Sequence, residues 1–267
     1  MQLKAEKIEL DYGGDPVITG FSLNVAEKKV VTLIGANGSG KSTILKAMGR
    51  LLKPSHGAVY LDGKELRSYD TRQLACKLAM LPQMHHTPPE LTVRDLVAYG
   101  RFPHRKMFQS SRLEDNEAID RALFLAGTEE LQNRRVSTLS GGERQRAWIA
   151  LNLAQEPKVL LLDEPTTFLD ISHQFDLLEL VREMNHNLGI TIVMVLHDLN
   201  HAARYSDKIV AVKNKGIYCC GAPEEVITEE NLREIFNINV RIINEDGIPH
   251  VIPTGSCKKP AKQNKGT

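Results

Sequence analysis

The sequence predicts an α/β protein with a mixed or parallel core sheet, an antiparallel β subdomain at the N-terminus and a helical subdomain inserted into the core. Three observations carry that prediction. An apolar run, Val30-Val31-Thr32-Leu33-Ile34, leads into a glycine-rich loop and then into Ile44, Leu45, Met48, Leu51 and Leu52 at helical spacing, a strand–loop–helix unit. Val159-Leu160-Leu161-Leu162 and residues 190–196 are apolar runs flanking a helical pattern, which is the signature of parallel strands joined by a right-handed crossover. Between these two units, residues 92–156 read almost entirely as helix.

In chain order, Leu3, Ile8 and Leu10 precede a Gly13-Gly14 turn, and Phe21, Leu23 and Val25 alternate as in a half-buried strand. Val59 and Leu61 run into Asp62-Gly63, a hairpin signal. Thr92-Val93-Arg94-Asp95 has the spacing of a capping box. Ile119, Ala122, Leu123 and Ala126 recur at helical spacing up to Gly127, and Ala147, Ala150, Leu151 and Ala154 repeat the pattern. The helix carrying Leu177, Val181, Met184 and Leu188 is stopped by Gly189. Beyond residue 225, Leu232, Ile235 and Phe236 share a helical face, and Asp246-Gly247 turns between two short apolar strands.

Composition narrows the classes. With 267 residues, 42% hydrophobic and 25% charged, the chain has ample material for a core. A net charge of +1 gives bulk electrostatics no reason to attract nucleic acid, and none is expected as a partner. The one basic run, Lys258 to Lys265, reads as a disordered solvated tail. No stretch approaches the ~18 apolar residues of a membrane span, and the first residues lack the apolar core of a signal peptide. Cys76, Cys219, Cys220 and Cys257 have no metal-ligand spacing and are expected to stay reduced.

The loop itself, Gly35-Ala36-Asn37-Gly38-Ser39-Gly40-Lys41-Ser42, is a complete G-x-x-x-x-G-K-S motif. Its glycines let backbone N–H groups turn inward around an anion, and the helix N-terminus adds partial positive charge. Gly35, Asn37, Gly38, Ser39, Gly40, Lys41, Ser42 and Thr43 are therefore the candidate nucleotide cradle, with Lys41 on the β- and γ-phosphates and Ser42 on Mg²⁺. The strand 159–162 ends in Asp163-Glu164, placing both carboxylates where ligands sit in open α/β sheets. Asp163 is expected to hold Mg²⁺ opposite Ser42, and Glu164 to polarise an attacking water.

Leu139-Ser140-Gly141-Gly142-Glu143-Arg144-Gln145-Arg146 is a second anion cradle at a helix start, without a lysine. With the preceding motifs it resembles the signature of the ATP-binding cassette (ABC) ATPases, in which the signature of one subunit closes over the ATP held by another. The resemblance covers residues 1–225, with every motif in order. It implies that Ser140, Gly141 and Gly142 serve a second copy of the chain, and that Tyr12 stacks on adenine. It further implies that Gln83 touches Mg²⁺ and water, that Leu169-Asp170 crosses the dimer interface, and that His197 senses the γ-phosphate. Glu164, His197, Gln83 and Lys41 are then the catalytic set, Ser42, Gln83 and Asp163 the metal set, and ATP with Mg²⁺ the cofactors.

Two histidine patterns compete for attention. His197-Asp198-Leu199-Asn200-His201 mimics a zinc-protease helix, but Asp stands where that motif needs Glu. His85-His86, followed by Pro88-Pro89, reads as a contact surface ahead of a metal site.

One phosphate loop, one signature and no membrane span point to a separately encoded importer ATPase. The strings Gly100-Arg101-Phe102-Pro103-His104 and Glu164-Pro165-Thr166-Thr167-Phe168-Leu169-Asp170-Ile171-Ser172-His173-Gln174 are similar to those of iron–siderophore importers, most of all the ferric hydroxamate type. Phe168 stands where many cassettes carry Ala, and an aromatic occurs there in the iron-complex branch. Haem and cobalamin importers are near relatives, and a non-transport cassette acting as an assembly or scaffold factor would carry the same motifs. The resemblance implies a partner permease contacted by residues 83–104, indirectly a substrate-binding protein, and a place on the cytoplasmic face of the membrane. The domain reading is an ATPase unit over residues 1–230, with the helical insertion at about 84–158, and a C-terminal extension over 231–267.

Overall fold

The structure is a computed structural model and describes residues 1–83, 90–105 and 112–257. His85-His86 and the basic tail from Lys258 lie outside the described residues. Strands β1 (Leu3–Leu10), β2 (Ile18–Val25), β3 (Val30–Ile34), helix α1 (Lys41–Met48), β4 (His56–Leu61) and β5 (Lys64–Glu65) come first. After α2 (Thr71–Ala75) and β6 (Leu78–Leu81) follow the helices α3 (Val93–Ala98), α4 (Arg112–Leu125) and α5 (Gly141–Ala154). Then β7 (Val159–Asp163), α6 (Ile171–Leu188), β8 (Thr191–Val195), α7 (Leu199–Tyr205), β9 (Lys208–Lys213) and β10 (Gly216–Gly221) complete the core. The chain continues through α8 (Pro223–Val226), α9 (Glu229–Phe236) and the hairpin β11 (Ile238–Glu245) and β12 (Ile248–Ser256).

The central sheet has the order β10-β9-β3-β8-β7-β6, with five parallel strands and β10 antiparallel on one edge. Its central strands β3, β7 and β8 are buried on both faces, and the period-2 alternation shows why. Val31, Leu33, Val159, Leu161, Val193 and Val195 point into one core, shared with α1 and the antiparallel sheet. Ile34, Leu160, Leu162, Ile192 and Met194 point into the other, shared with the helices. The antiparallel sheet has the order β2-β1-β4-β5, and Asp62-Gly63 makes the β4–β5 turn with φ values of 49° and 76°.

The helical region uses the cap predicted at Thr92 and adds a second one at Ser140. Thr92 and Asp95 form a reciprocal capping box on α3, as do Ser140 and Glu143 on α5. Gly189 ends α6 in the left-handed region at φ 65°. One expectation needs correction: the helical spacing running to Leu52 overreaches. Helix α1 stops at Met48, Gly49 caps it, Arg50 takes φ 61°, and Leu51 is exposed. The left-handed Arg50 ends the helix, with Leu51 N closing back on Lys46 O at 2.8 Å, and its guanidinium then donates to Leu66 O, Tyr69 O and Thr71 Oγ1. Leu188 is likewise half-exposed at the helix end and not in the core. The four cysteines are free thiols. Among the described residues no helix is long and apolar enough to cross a membrane.

Candidate nucleotide site

Four neighbouring parallel strands deliver the site. The segments that follow the carboxyl ends of β6, β7, β8 and β3 carry Gln83, Glu164, His197 and the phosphate loop respectively. They line a cleft of about 500 Å³ together with Val17, Asn37, Gly38, Gly40, Ser42 and Thr43. Gly40 caps α1 from the left-handed region at φ 97°, and a Cβ there would sit 2.6 Å from Ile18 Cδ1. A Cβ on Gly35 would meet Val212 O at 2.4 Å, so the loop is as tight as its sequence implies.

Lys41 is buried, and its Nζ donates to Gly35 O at 2.9 Å and Ala36 O at 3.0 Å. Burial pushes the ammonium below the usual lysine range, opposed by the charges of Glu164 and Asp163. Ser42 Oγ donates to Asp163 Oδ1 at 2.8 Å. Burial raises the Asp163 carboxyl, the Ser42 hydrogen bond lowers it, and the Glu164 charge raises it again. Glu164 adopts φ 51°, a conformation rare for non-glycine residues, as the chain leaves β7. Its Oε2 accepts from Gln83 Nε2 at 2.6 Å and from Thr167 Oγ1 at 3.2 Å, and its Oε1 lies 2.6 Å from His197 Nε2.

The residues fit a magnesium nucleotide on two observations. Ser39 Oγ is buried with no hydrogen-bond partner among the described residues, a donor that the phosphate cradle would use. Ser42 and Asp163 offer hard oxygen ligands side by side, and the buried Asp163 charge favours a cation. Tyr12 stands exposed beside this cradle, its hydroxyl 3.4 Å from Thr43 Oγ1.

Ser140, Gly141 and Gly142 do not line this cleft. They abut the loop of Leu169-Asp170 instead. A Cβ on Gly141 would lie 3.6 Å from Phe168 O, and one on Gly142 would strike the His173 ring, 2.3 Å from Cδ2. Asp170 caps α6, accepting from His173 N at 3.0 Å and pairing with the same imidazole. These hydrogen bonds hold its carboxyl below the usual aspartate range. His201 is not beside His197 in any shared site: it is buried on α7, edge-on to Phe175.

Sequence reasoning assigns no role to Thr167 or His173. The hydroxyl three positions after Glu164 was a usable signal for Thr167, whereas the packing of His173 on Gly142 joins positions 31 apart and left none.

Fold and site together define an ATP-binding cassette. A family model for ABC transporters matches residues 18–167, and the chain belongs to that family. It is 44% identical over 256 residues to the ferric enterobactin transport ATP-binding protein FepC of Escherichia coli (strain K12), covering 95% of this chain and 94% of FepC. It is also 44% identical over 243 residues to the iron(3+)-hydroxamate import ATP-binding protein FhuC of Bacillus subtilis (strain 168), covering 91% and 90% of the two chains. A solved dimeric bacterial ABC transporter cassette superposes with a TM-score of 0.73 at 30% identity, covering 83% of this chain and 98% of that one.

Proposed function

We propose that this chain is the ATP-hydrolysing subunit of an importer for ferric siderophores, working as two copies against a membrane permease on the cytoplasmic face, with a substrate-binding protein delivering the cargo. The observation that carries it is Glu164, standing in the cleft with Lys41, Ser42, Gln83 and His197, in a chain whose relatives include ATP-binding proteins named for enterobactin and hydroxamate transport. Residues 1–230 are the ATPase unit, with an insertion at about 84–158, and 231–267 are an extension.

ATP stacks its base on Tyr12 and lays its phosphates on the N–H groups of residues 35–43, where Lys41 exchanges its two loop carbonyls for phosphate oxygens. Ser42, Asp163 and the carbonyl oxygen of Gln83 would hold Mg²⁺, which neutralises phosphate charge when bound. Glu164 orients the attacking water and receives its proton, while His197 and Lys41 stabilise charge on the γ-phosphoryl oxygens. Ser140, Gly141 and Gly142 of the second copy close over the triphosphate, and Asp170 crosses with them. Closure excludes water and strengthens each charged contact. Hydrolysis leaves two repelling anions between the copies, and reopening moves the helical region.

The test is co-purification from gently solubilised native membranes, with partners identified by mass spectrometry. A polytopic permease together with a siderophore-binding protein is the expected result. A haem- or cobalamin-type binding protein would reassign the cargo, and soluble partners alone would replace the importer by an assembly factor.

A further inference from the structure

Phe168 is held outward in an unusual way. It is 89% exposed and sits at φ 67°, in a turn closed by Thr167 N to Glu164 O at 3.2 Å and Leu169 N to Thr166 O at 3.3 Å. A bulky residue seldom takes that backbone conformation, and fully exposing a phenyl ring sacrifices its burial. Three and seven residues on, Ile171 and Phe175 continue an apolar stripe along the first turns of α6, 73% and 40% exposed.

The stripe borders a cavity of about 300 Å³ between α6, α7 and β12, walled by Ile171, Phe175, His201, Arg204 and His250. Its aromatic walls contact one another. His201 lies edge-on to Phe175 with centroids 4.9 Å apart and also contacts Tyr205 at 6.3 Å. The β12 wall is fastened to α7 by Asn200, which accepts from Val251 N at 2.7 Å and donates to Val251 O at 3.3 Å. The Asp198 carboxylate beside it is engaged in capping α7 through His201 N. Ile171, Phe175 and the His201 ring give the cavity an apolar side on which a flat ring can pack, with Gln174, Arg204 and His250 at its polar edge.

We propose that this cavity receives Phe168 of a second copy, so that each protomer inserts its ring into the other. This rests on the two-copy reading above. A twofold interface is self-complementary, and here the projecting ring and the cavity flank the same Asp170 cap, so each copy can give and receive once. The phenyl turn also rides on the signature: Phe168 O faces Gly141. Any closure that brings Ser140–Gly142 over a second copy's triphosphate thus carries Phe168 towards that copy. Its high exposure excludes its own cavity as the seat. The C-terminal hairpin gains a role as one wall of the partner's socket.

The experiment uses the full chain carrying Glu164→Gln, with Mg-ATP, and reads dimerisation by sedimentation equilibrium. Adding Phe168→Ala should weaken the dimer about 10- to 100-fold, as for a buried aromatic anchor, while each monomer binds fluorescent ATP unchanged. With p-benzoylphenylalanine at 168, illumination in ATP should join two differently labelled copies, and the joined peptide should contain Phe175, His201 or His250. A dimer indifferent to Phe168→Ala, or crosslinks to any other region, overturns this inference alone. Failure of the Glu164→Gln protein to dimerise at all overturns the two-copy reading and this inference with it.

Discussion

The Glu164 carboxylate lies 2.6 Å from His197 Nε2 through one oxygen while its other oxygen receives Gln83 and Thr167. A single side chain thereby ties together the segments after β6, β7 and β8. Its geometry leaves Glu164 acceptor-only on all sides, which suits a group that must take a proton from water. Replacement by Gln keeps the shape and removes the basicity. Glu164→Gln should slow phosphate release by about 10²–10⁴-fold while ATP still drives a persistent dimer. Turnover above a few per cent of the wild-type rate would remove Glu164 from its role.

Lys41 is buried with its charge resting on two backbone carbonyls, and burial already depresses its pKa. Lys41→Ala should abolish measurable binding of fluorescent ATP. For the wild type, ATP affinity should begin to fall at a pH below that at which an exposed lysine deprotonates, because the ammonium is lost early. The sign for stability is the reverse: the unfolded chain holds that proton more tightly, so burial of the charge penalises the fold less as pH rises towards the ordinary lysine pKa. An affinity flat across that alkaline range would contradict the placement of Lys41 on phosphate.

Asp163 presents a similar conflict between fold and function. Its pKa is raised by burial, so ionisation is harder in the fold than in the unfolded chain, and stability falls as pH rises through that window. At neutral pH the carboxylate is thus a strain that a bound cation would relieve. Asp163→Asn can still accept from Ser42, and should stabilise the nucleotide-free protein by about 1 kcal/mol, or about 2–4 °C in Tm. The same variant should lose the stabilisation that Mg-ATP confers on the wild type. Calorimetry with and without Mg-ATP reads both effects, and a lower Tm for the nucleotide-free variant would count against this account.

What the sequence made legible was local. The phosphate loop, the capping box at Thr92, the Asp62-Gly63 turn and the Gly189 stop all announce themselves within four or five residues. The two-faced burial of β3, β7 and β8 was visible as unbroken apolar runs. Strand order was not: that β3 lies between β8 and β9 depends on pairing across more than 150 positions, which no periodicity encodes. The early end of α1 was missed because a non-glycine residue, Arg50, takes the left-handed cap, and its side chain is held by acceptors 16 to 21 residues away. The roles of His173 and Arg101 were hidden for the same reason, since each is defined by a side-chain contact with residues 14 to 55 positions away.

Gly141 and Gly142 look equivalent in sequence and differ in space. A Cβ on Gly141 would make ordinary contacts, whereas one on Gly142 would overlap the His173 ring that Asp170 holds in place. Gly142→Ala should therefore displace the Asp170 loop, lower ATPase activity by at least tenfold and leave monomer ATP affinity near wild type. Gly141→Ala should perturb that loop much less. The pair is separated by measuring steady-state hydrolysis and ATP titrations side by side, and equal losses in both variants would show that His173 packing is not what matters.

Arg101 is the anchor of the helical region. It is 6% exposed, and its guanidinium donates to Asp115 Oδ1 at 3.0 Å, Ala154 O at 2.8 Å and Glu156 Oε2 at 2.8 Å, joining the segment after α3 to α4 and to the end of α5. Burial works against both charges, yet the hydrogen bonds outweigh it, so Arg101 is held above its ordinary pKa and Asp115 below its own. Arg101→Ala leaves the half-buried Asp115 to Arg105 alone and should destabilise the protein by about 2–3 kcal/mol in urea unfolding. Arg101→Lys should restore only part of this, because one ammonium cannot reproduce the planar fork that meets acceptors in three directions. The acid side gives the sign test. A depressed Asp115 pKa contributes stability that is present above the unfolded-state pKa and disappears as pH drops through the folded one. The gap between wild type and Arg101→Ala should accordingly narrow in strong acid, and a gap independent of pH would mean that packing of the arginine stem, and not its ion pairs, holds the helices together.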